Sequence, residues 1–148
     1  NDLYFVFTVQ EEVGLRGAKT SAYKINPEVG IALDVTGSGD IPKAKPFSVN
    51  LDKGTAIKVK DNSILTHPKL RQLMIDISKE NNIPYQMEVL EFGGTDSGAL
   101  HLTKEGVITG AISIPTRYVH STVETASKND ILDSIKLLVK LLEDDLKF

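Results

Sequence analysis

The sequence contains no cysteine among its 148 residues. Disulfides and thiolate metal sites are therefore excluded, and any metal ion must be held by carboxylates and histidines. No apolar run approaches the ~20 residues that cross a bilayer as a helix, and no secretory leader is visible, so no membrane partner is expected and the cytoplasm is the default location. The net charge of −3 and the absence of a basic stripe also argue against a nucleic-acid partner.

What is present indicates one soluble α/β domain. Hydrophobic residues make up 41% of the chain and charged residues 25%. Strand-like runs alternate with helical patterns, which predicts a single domain over 1–148 with a mainly parallel sheet. The run Leu3–Val9 is apolar and aromatic and predicts a strand covered on both faces. Because so buried a strand would begin almost at the first residue, we expect that further sequence precedes Asn1.

Two adjacent carboxylates, Glu11 and Glu12, follow this predicted strand in the stretch Thr8–Gly17. Ligands of parallel sheets bind at the carboxyl ends of the strands, where these two side chains fall. Such a pair suits metal-assisted hydrolysis, with one carboxylate holding a cation and the other accepting a proton from water. The alternative is that the pair is a solvated acidic turn.

Three further residues lie at predicted strand ends or at the start of a helix, and each has a structural alternative. Asp34 ends a predicted strand over Gly30–Val35, or else it caps the turn that follows. His120 follows the predicted strand Val107–Ile114 and is either a ligand or a hydrogen-bonded loop residue. Asp96 either caps a short helix or faces the cleft.

The remaining patterns predict structural roles. Apolar residues at helical spacing predict two core stripes. A separate set of basic residues is predicted to form solvated faces. The first stripe comprises Leu70, Leu73, Met74 and Ile77 of a helix over His67–Asn81, and the second comprises Ile131, Ile135, Leu138, Val139 and Leu142 of a final helix capped by Asn129 or Asp130. The basic set comprises Lys43, Lys45, Lys53, Lys58 and Lys60, the last two on a strand over Ala56–Lys60 with one wet face.

Four strings occur together in one order along the chain. They read Val-Gln-Glu-Glu-Val-Gly-Leu-Arg-Gly-Ala from Val9, Ile-Ala-Leu-Asp-Val-Thr from Ile31, Gly-Gly-Thr-Asp-Ser-Gly-Ala-Leu-His-Leu from Gly93, and Ile-Pro-Thr-Arg-Tyr-Val-His-Ser from Ile114. The set resembles the glutamyl, deblocking and tetrahedral aminopeptidases, a family of dinuclear zinc or cobalt metallopeptidases. The resemblance spans essentially the whole chain but only the C-terminal part of that family's catalytic domain.

The resemblance implies a fold, a reaction and a role for each candidate residue. The fold would be a three-layer α/β/α domain of the zinc-peptidase type, truncated at its N-terminus. Glu11 would be the general base, Glu12 and His120 would hold one metal ion, and Asp34 would hold the other. A metal-activated water would then release N-terminal residues from a peptide substrate. Members of the family form homo-oligomers.

Two further residues are candidates for substrate binding within the matching strings. Asp96 is positioned to anchor the amino group of a peptide, and Arg117 to line its pocket. Side-chain preference does not follow from these residues.

The chain also departs from the family pattern. A histidine ligand and a metal-bridging aspartate that precede the Glu-Glu strand in the family, together with an inserted oligomerisation domain, are absent from this sequence. We therefore expect a partial or empty metal site and a chain that is weak or inactive on its own, since metal affinity depends on ligand number. The first alternative is a non-catalytic folding or interaction module that dimerises through an exposed edge strand. The second is a glycoside hydrolase of endoglucanase type that uses two carboxylates, although sequence neighbours rarely flank a sugar bond.

Overall fold

The computed structural model describes residues 2–45, 47–146 and 148. In the order of the chain the elements are α1 (Arg16–Ile25), β1 (Val29–Gly37), β2 (Thr55–Lys60), α2 (Pro68–Glu80), β3 (Tyr85–Val89), α3 (Ser97–Leu100), β4 (Ile108–Arg117), β5 (Thr125–Ala126) and α4 (Lys128–Glu143). None of the helices in these described ranges is long and apolar enough to cross a membrane.

The five strands form one mixed sheet in the order β1-β4-β2-β3, with β5 added to β4. β1 runs parallel to β4 from Val29↔Ile108 to Gly37↔Thr116, and β2 runs parallel to β3. β2 and β4 are antiparallel and pair at Ala56↔Ser113 and Ile57↔Ile112. The predicted mainly parallel sheet is therefore confirmed, and the carboxyl ends of β1 and β4 lie side by side.

Helices cover both faces of the sheet. A side chain at Gly110 would meet Leu70 and Met74 of α2, whereas one at Gly30, which pairs with the adjacent Thr109, would meet Leu100 of α3. Successive residues of a strand point to opposite faces, so α2 and α3 lie on opposite sides. The main core lies on the α2 side and is formed by Ile57, Leu70, Met74, Ile77, Ile83, Ile112, Leu137 and Leu141. The predicted α/β/α layering is confirmed.

The predicted strand over Leu3–Val9 is wrong. This segment pairs with no strand in the described part of the chain, and its apolar side chains are exposed, with Phe7 96% accessible. A strand forms only where a neighbouring strand accepts its backbone hydrogen bonds, and the sequence pattern carries no information about that neighbour. The outer edge of β1 is likewise unpaired within the described residues.

The second predicted stripe and its caps are also wrong in part. On α4 the buried apolar residues are Leu137 and Leu141, while Ile135 is 52% exposed. The helix is capped by Ser127, whose hydroxyl accepts the N–H of Asn129 at 3.2 Å. Asp130 instead turns inward and accepts the backbone N–H groups of Asp52 and Gly54. The buried face of α4 therefore differs from the predicted one and includes Asp130, which holds the turn before β2.

Lys58 contradicts the predicted wet face of β2. Lys43, Lys45, Lys53 and Lys60 are exposed as predicted, but Lys58 is 0% exposed. Its ammonium group lies 2.6 Å from a carboxylate oxygen of Glu88, also fully buried. Because an alternating strand pattern cannot reveal a buried partner on another strand, the sequence alone places this lysine in solvent.

Candidate active site

The Glu11–Glu12 pair lies on a tight turn that leads into α1. The carbonyl of Glu11 accepts the N–H groups of Gly14 and Leu15 at 3.0 and 2.9 Å, and the N–H of Gly17 reaches the carbonyl of Val9 at 2.9 Å. A Cβ atom at Gly17 would lie 2.5 Å from the backbone nitrogen of Val9, so only glycine fits there. This closure directs both glutamates toward the ends of the neighbouring strands.

Glu12 and His120 meet although they are far apart in the sequence. Nε2 of His120 lies 3.2 Å from Oε1 of Glu12, and both side chains are exposed. His120 has a left-handed backbone with φ of 63°, and its N–H donates to Oε1 of Glu124 at 2.6 Å. The turn after β4 therefore carries an imidazole and brings it to the Glu11–Glu12 turn, as a shared ligand pair requires.

Asp34 lies on β1 beside Ser113 of β4 and is partly buried. Its Oδ1 accepts the N–H of Val35 at 2.7 Å. The turn that follows β1 is instead closed by Ser38, whose hydroxyl donates to Asp40 at 2.6 Å. Burial raises the pKa of Asp34, and the nearby Asp96 and Glu12 add to this, while the Val35 N–H and the Lys58 charge oppose it. The carboxylate therefore lies among other acids rather than in the predicted capping position.

Asp96 precedes α3 but does not cap it through its side chain. Its Oδ2 accepts a 2.6 Å hydrogen bond from the hydroxyl of Thr8. Its Oδ1 is buried and has no hydrogen-bond partner in the described part of the chain. A buried, unpaired carboxylate oxygen is costly unless a cation or a donor reaches it. The cleft-facing alternative for Asp96 therefore fits this geometry better than the capping one.

The pKa of Glu11 shows how closely the acids converge. Burial raises it, and the charges of Asp34, Glu12 and Asp96 raise it further, whereas His120 lowers it. Mutually repelling carboxylates are retained where a cation or a reaction needs them. The structure thus brings together four of the predicted site residues around Glu11, from four separate parts of the chain.

Arg117 lies at the end of β4 and is engaged with the loop after β1. Its Nε and its Nη2 donate to the two carboxylate oxygens of Asp40 at 3.1 and 2.6 Å. This bidentate contact holds the pKa of Asp40 well below its usual range. Arg117 therefore braces two loops at the rim of the site, and its predicted contact with substrate stays a prediction.

The donor set fits zinc or cobalt in kind but not in number. Carboxylate oxygens and an imidazole nitrogen are ordinary ligands of these ions, and Glu12 with His120 already forms a two-donor pair. Within the described ranges no group of three or more such side chains is arranged to hold a metal ion. The residues present therefore match part of a coordination sphere.

Thr8 and Lys58 are the site-associated residues that sequence reasoning missed. Thr8 lies inside the stretch singled out for Glu11, but nothing local signals that its hydroxyl contacts Asp96. The pairing of Lys58 with Glu88 depends on strand order, which no local pattern encodes.

The α/β/α fold brings acidic side chains and a histidine together beside the carboxyl ends of β1 and β4, which is where ligands of α/β domains bind. The profile of the M42 glutamyl aminopeptidase family matches residues 1–137, and the chain belongs to this family. The family predicted from the four strings is confirmed.

Individual relatives agree with this assignment. A candidate aminopeptidase of Acetivibrio thermocellus is 58% identical over 142 residues, which are 96% of this chain and 43% of the relative. The TET aminopeptidase of a marine sediment Thaumarchaeota archaeon is 38% identical and superposes with a TM-score of 0.90 over 94% of this chain and 40% of its own. The Pyrococcus horikoshii TET1 peptidase, which can assemble into a tetrahedron or a large octahedral shell, is 36% identical with a TM-score of 0.76, over 95% of this chain and 40% of its own. The chain thus spans less than half the length of these relatives.

Proposed function

We propose that this chain forms the part of an aminopeptidase active site that lies at the carboxyl ends of its strands. The observation that carries the proposal is the 3.2 Å contact between Glu12 and His120 beside Glu11 and Asp34. Residues from the turn before α1, from β1 and from the turn after β4 converge there. Such convergence is expected of a site and not of a solvated acidic turn.

Glu12 and His120 would hold one divalent ion and Asp34 would help to hold a second. A bound zinc or cobalt ion supplies an acidified water and polarises a carbonyl group near neutral pH. Asp96 has a buried carboxylate oxygen without a hydrogen bond in the described residues, and this oxygen is suited to receive the amino group of a peptide. The hydrogen bond from the Thr8 hydroxyl to Oδ2 keeps the carboxylate in place.

Glu11 is assigned as the general base because no hydrogen bond in the described part of the chain occupies its carboxylate and its pKa is raised. A base with a raised pKa binds a proton more strongly and is better matched to water near neutral pH. Asp34 and Glu12 keep the proton affinity of Glu11 high in the metal-free chain, since their charges repel its ionised form.

The ligand set supports only weak metal binding by this chain alone. Two donors are in contact, whereas zinc sites in enzymes have three protein ligands. We infer that the other ligands come from outside the 148 residues and that the longer parent protein is the active aminopeptidase. Weak or undetectable peptidase activity is therefore the expectation for the isolated chain.

Calorimetric titration with zinc, paired with an aminoacyl p-nitroanilide assay, tests this proposal. The chain should bind zinc weakly, and His120→Ala should abolish binding. His101→Ala is the matched control, because His101 contacts the carbonyl of Ser97 at 3.1 Å and should leave the affinity unchanged. Equal loss in both variants, or no zinc binding by the unaltered chain, would contradict the metal site. Turnover at the rate of a complete enzyme would contradict the incomplete ligand set.

The outer edge of β1, which no strand of the described residues covers, and the exposed apolar segment Leu3–Val9 favour association of copies as a second property. Exposed edges and large apolar patches favour pairing with another chain. We propose a homo-oligomer, in keeping with the shells formed by the Pyrococcus relative. A cytoplasmic location stays a prediction.

A further inference from the structure

Lys58 is the hub of a buried network that the proposed reaction does not use. Its Nζ lies 2.6 Å from Oε1 of Glu88 and 3.4 Å from Oδ2 of Asp61, and all three side chains are almost completely inaccessible. Well-packed apolar residues often replace buried ion pairs without loss of stability. Stability therefore gives no sufficient reason for this network, which connects outward in two directions.

The first connection leads to the strand that carries Asp34. Oε1 of Glu88, which the Lys58 ammonium contacts, also accepts a 2.8 Å hydrogen bond from the hydroxyl of Thr36. Thr36 is 3% exposed and lies two positions after Asp34 on β1. Side chains two apart on a strand point to the same face, so fixing Thr36 also fixes the direction of Asp34.

The second connection leads to the segment that carries Asp96. Oδ1 of Asp61 accepts the N–H and the hydroxyl of Ser63, both at 2.7 Å. The Ser63 hydroxyl then packs against two glycines: a Cβ atom would lie 2.9 Å from it at Gly94 and 2.4 Å at Gly98. Because these glycines lie on either side of Asp96, the position of Ser63 limits where the Asp96 backbone can lie.

We infer that Lys58 is a positioning residue that sets the relative placement of Asp34 and Asp96 through Glu88–Thr36 on one side and Asp61–Ser63 on the other. This inference rests on the proposed function, since it assigns the two carboxylates to one site. Lys58 itself touches no reacting group. The hub ties three strands and the segment before α3 into one unit, so that the two walls of the site keep a fixed separation.

Zinc affinity measures the first connection. Thr36→Val has nearly the same shape as threonine but loses the hydroxyl, and it should weaken zinc binding by about 10-fold, as for other groups that orient metal ligands. Thr36→Ser keeps the hydroxyl and should restore the affinity to within about 3-fold. The double variant Lys58→Met/Glu88→Gln removes two of the three buried charges, and it should weaken zinc binding like Thr36→Val. Leu137 lies in the main core, so Leu137→Ala controls for a general loss of stability. This variant should leave zinc affinity unchanged.

A double-mutant cycle, measured on the metal-free chain, tests the second connection. The free energies of unfolding of Thr8→Val, of Ser63→Ala and of their combination should be non-additive, because Thr8 stabilises Asp96 only where Ser63 holds that segment in place. Additive values would overturn the inference, as would zinc affinity that is unchanged in both Thr36→Val and the Lys58→Met/Glu88→Gln variant. If the unaltered chain binds no zinc, the proposed metal site fails, while the cycle still decides whether the network positions Asp96.

Discussion

The hydroxyl of Thr8 lies 2.6 Å from Oδ2 of Asp96 and donates a hydrogen bond to it. This contact joins the end of the apolar N-terminal segment to the start of α3. It leaves Oδ1 as the carboxylate atom without a hydrogen bond in the described residues. Thr8 thereby decides which oxygen of Asp96 stays available for another donor or a cation.

Thr8→Val is expected to destabilise the chain by about 1 to 3 kcal/mol, because both oxygens of a partly buried carboxylate would then lack a donor. Thr8→Ser keeps the hydroxyl and should recover most of that loss. Urea unfolding of the three proteins measures the difference. Equal stability of Thr8→Val and the unaltered chain would show that the contact contributes nothing to the fold.

Glu11→Gln is expected to stabilise the metal-free chain near neutral pH. The pKa of Glu11 is raised above 4.5 in the folded chain, first by burial and then by Asp34, Glu12 and Asp96. The folded state therefore binds this proton more tightly than the unfolded state does. Its contribution to stability is complete below pH 4.5 and declines as the pH rises through the raised pKa.

The gain from Glu11→Gln should accordingly be present at about pH 7 and should disappear at about pH 3.5, where both states bind the proton. Unfolding in urea at the two pH values measures it. A gain of the same size at both would mean that the substitution acts through packing and not through charge.

Leu137→Ala and Ile135→Ala test which face of α4 is buried. Leu137 is fully buried and its truncation should cost about 2 to 5 kcal/mol. Ile135 is 52% exposed, and its truncation should cost about 0.5 kcal/mol or less. Thermal or urea unfolding of the 148-residue chain gives both values. The opposite ranking would restore the stripe predicted from the sequence.

Much of the site could be predicted from residue types and from the order of the four matching strings. Glu11, Glu12, Asp34 and His120 have the residue types of a metal site, and Asp34 and His120 lie near the ends of the parallel strands β1 and β4, where α/β domains place ligands. The helix α2 was equally readable, since its bounds, Pro68–Glu80, lie within one residue of the predicted His67–Asn81. Local pattern was sufficient for α2, whose buried residues Leu70, Met74 and Ile77 recur at three or four positions.

What could not be predicted depends on distant partners. The apolar run Leu3–Val9 has the composition of a strand, but a strand also needs a neighbour to pair with. Lys58 alternates like a surface residue, and its burial depends on Glu88 of another strand. On α4 the buried position of Asp130 follows from the backbone N–H groups of Asp52 and Gly54, which a helical periodicity does not include.

The paired contacts of Arg117 with Asp40 join the loop that leaves β1 to the turn that leaves β4. His120 is carried by that turn, so it shares an anchor with the loop across the cleft mouth. The two segments are therefore coupled, and a contact that restricts the motion of one also restricts the other. When a ligand binds, amide hydrogen exchange should slow in both segments together.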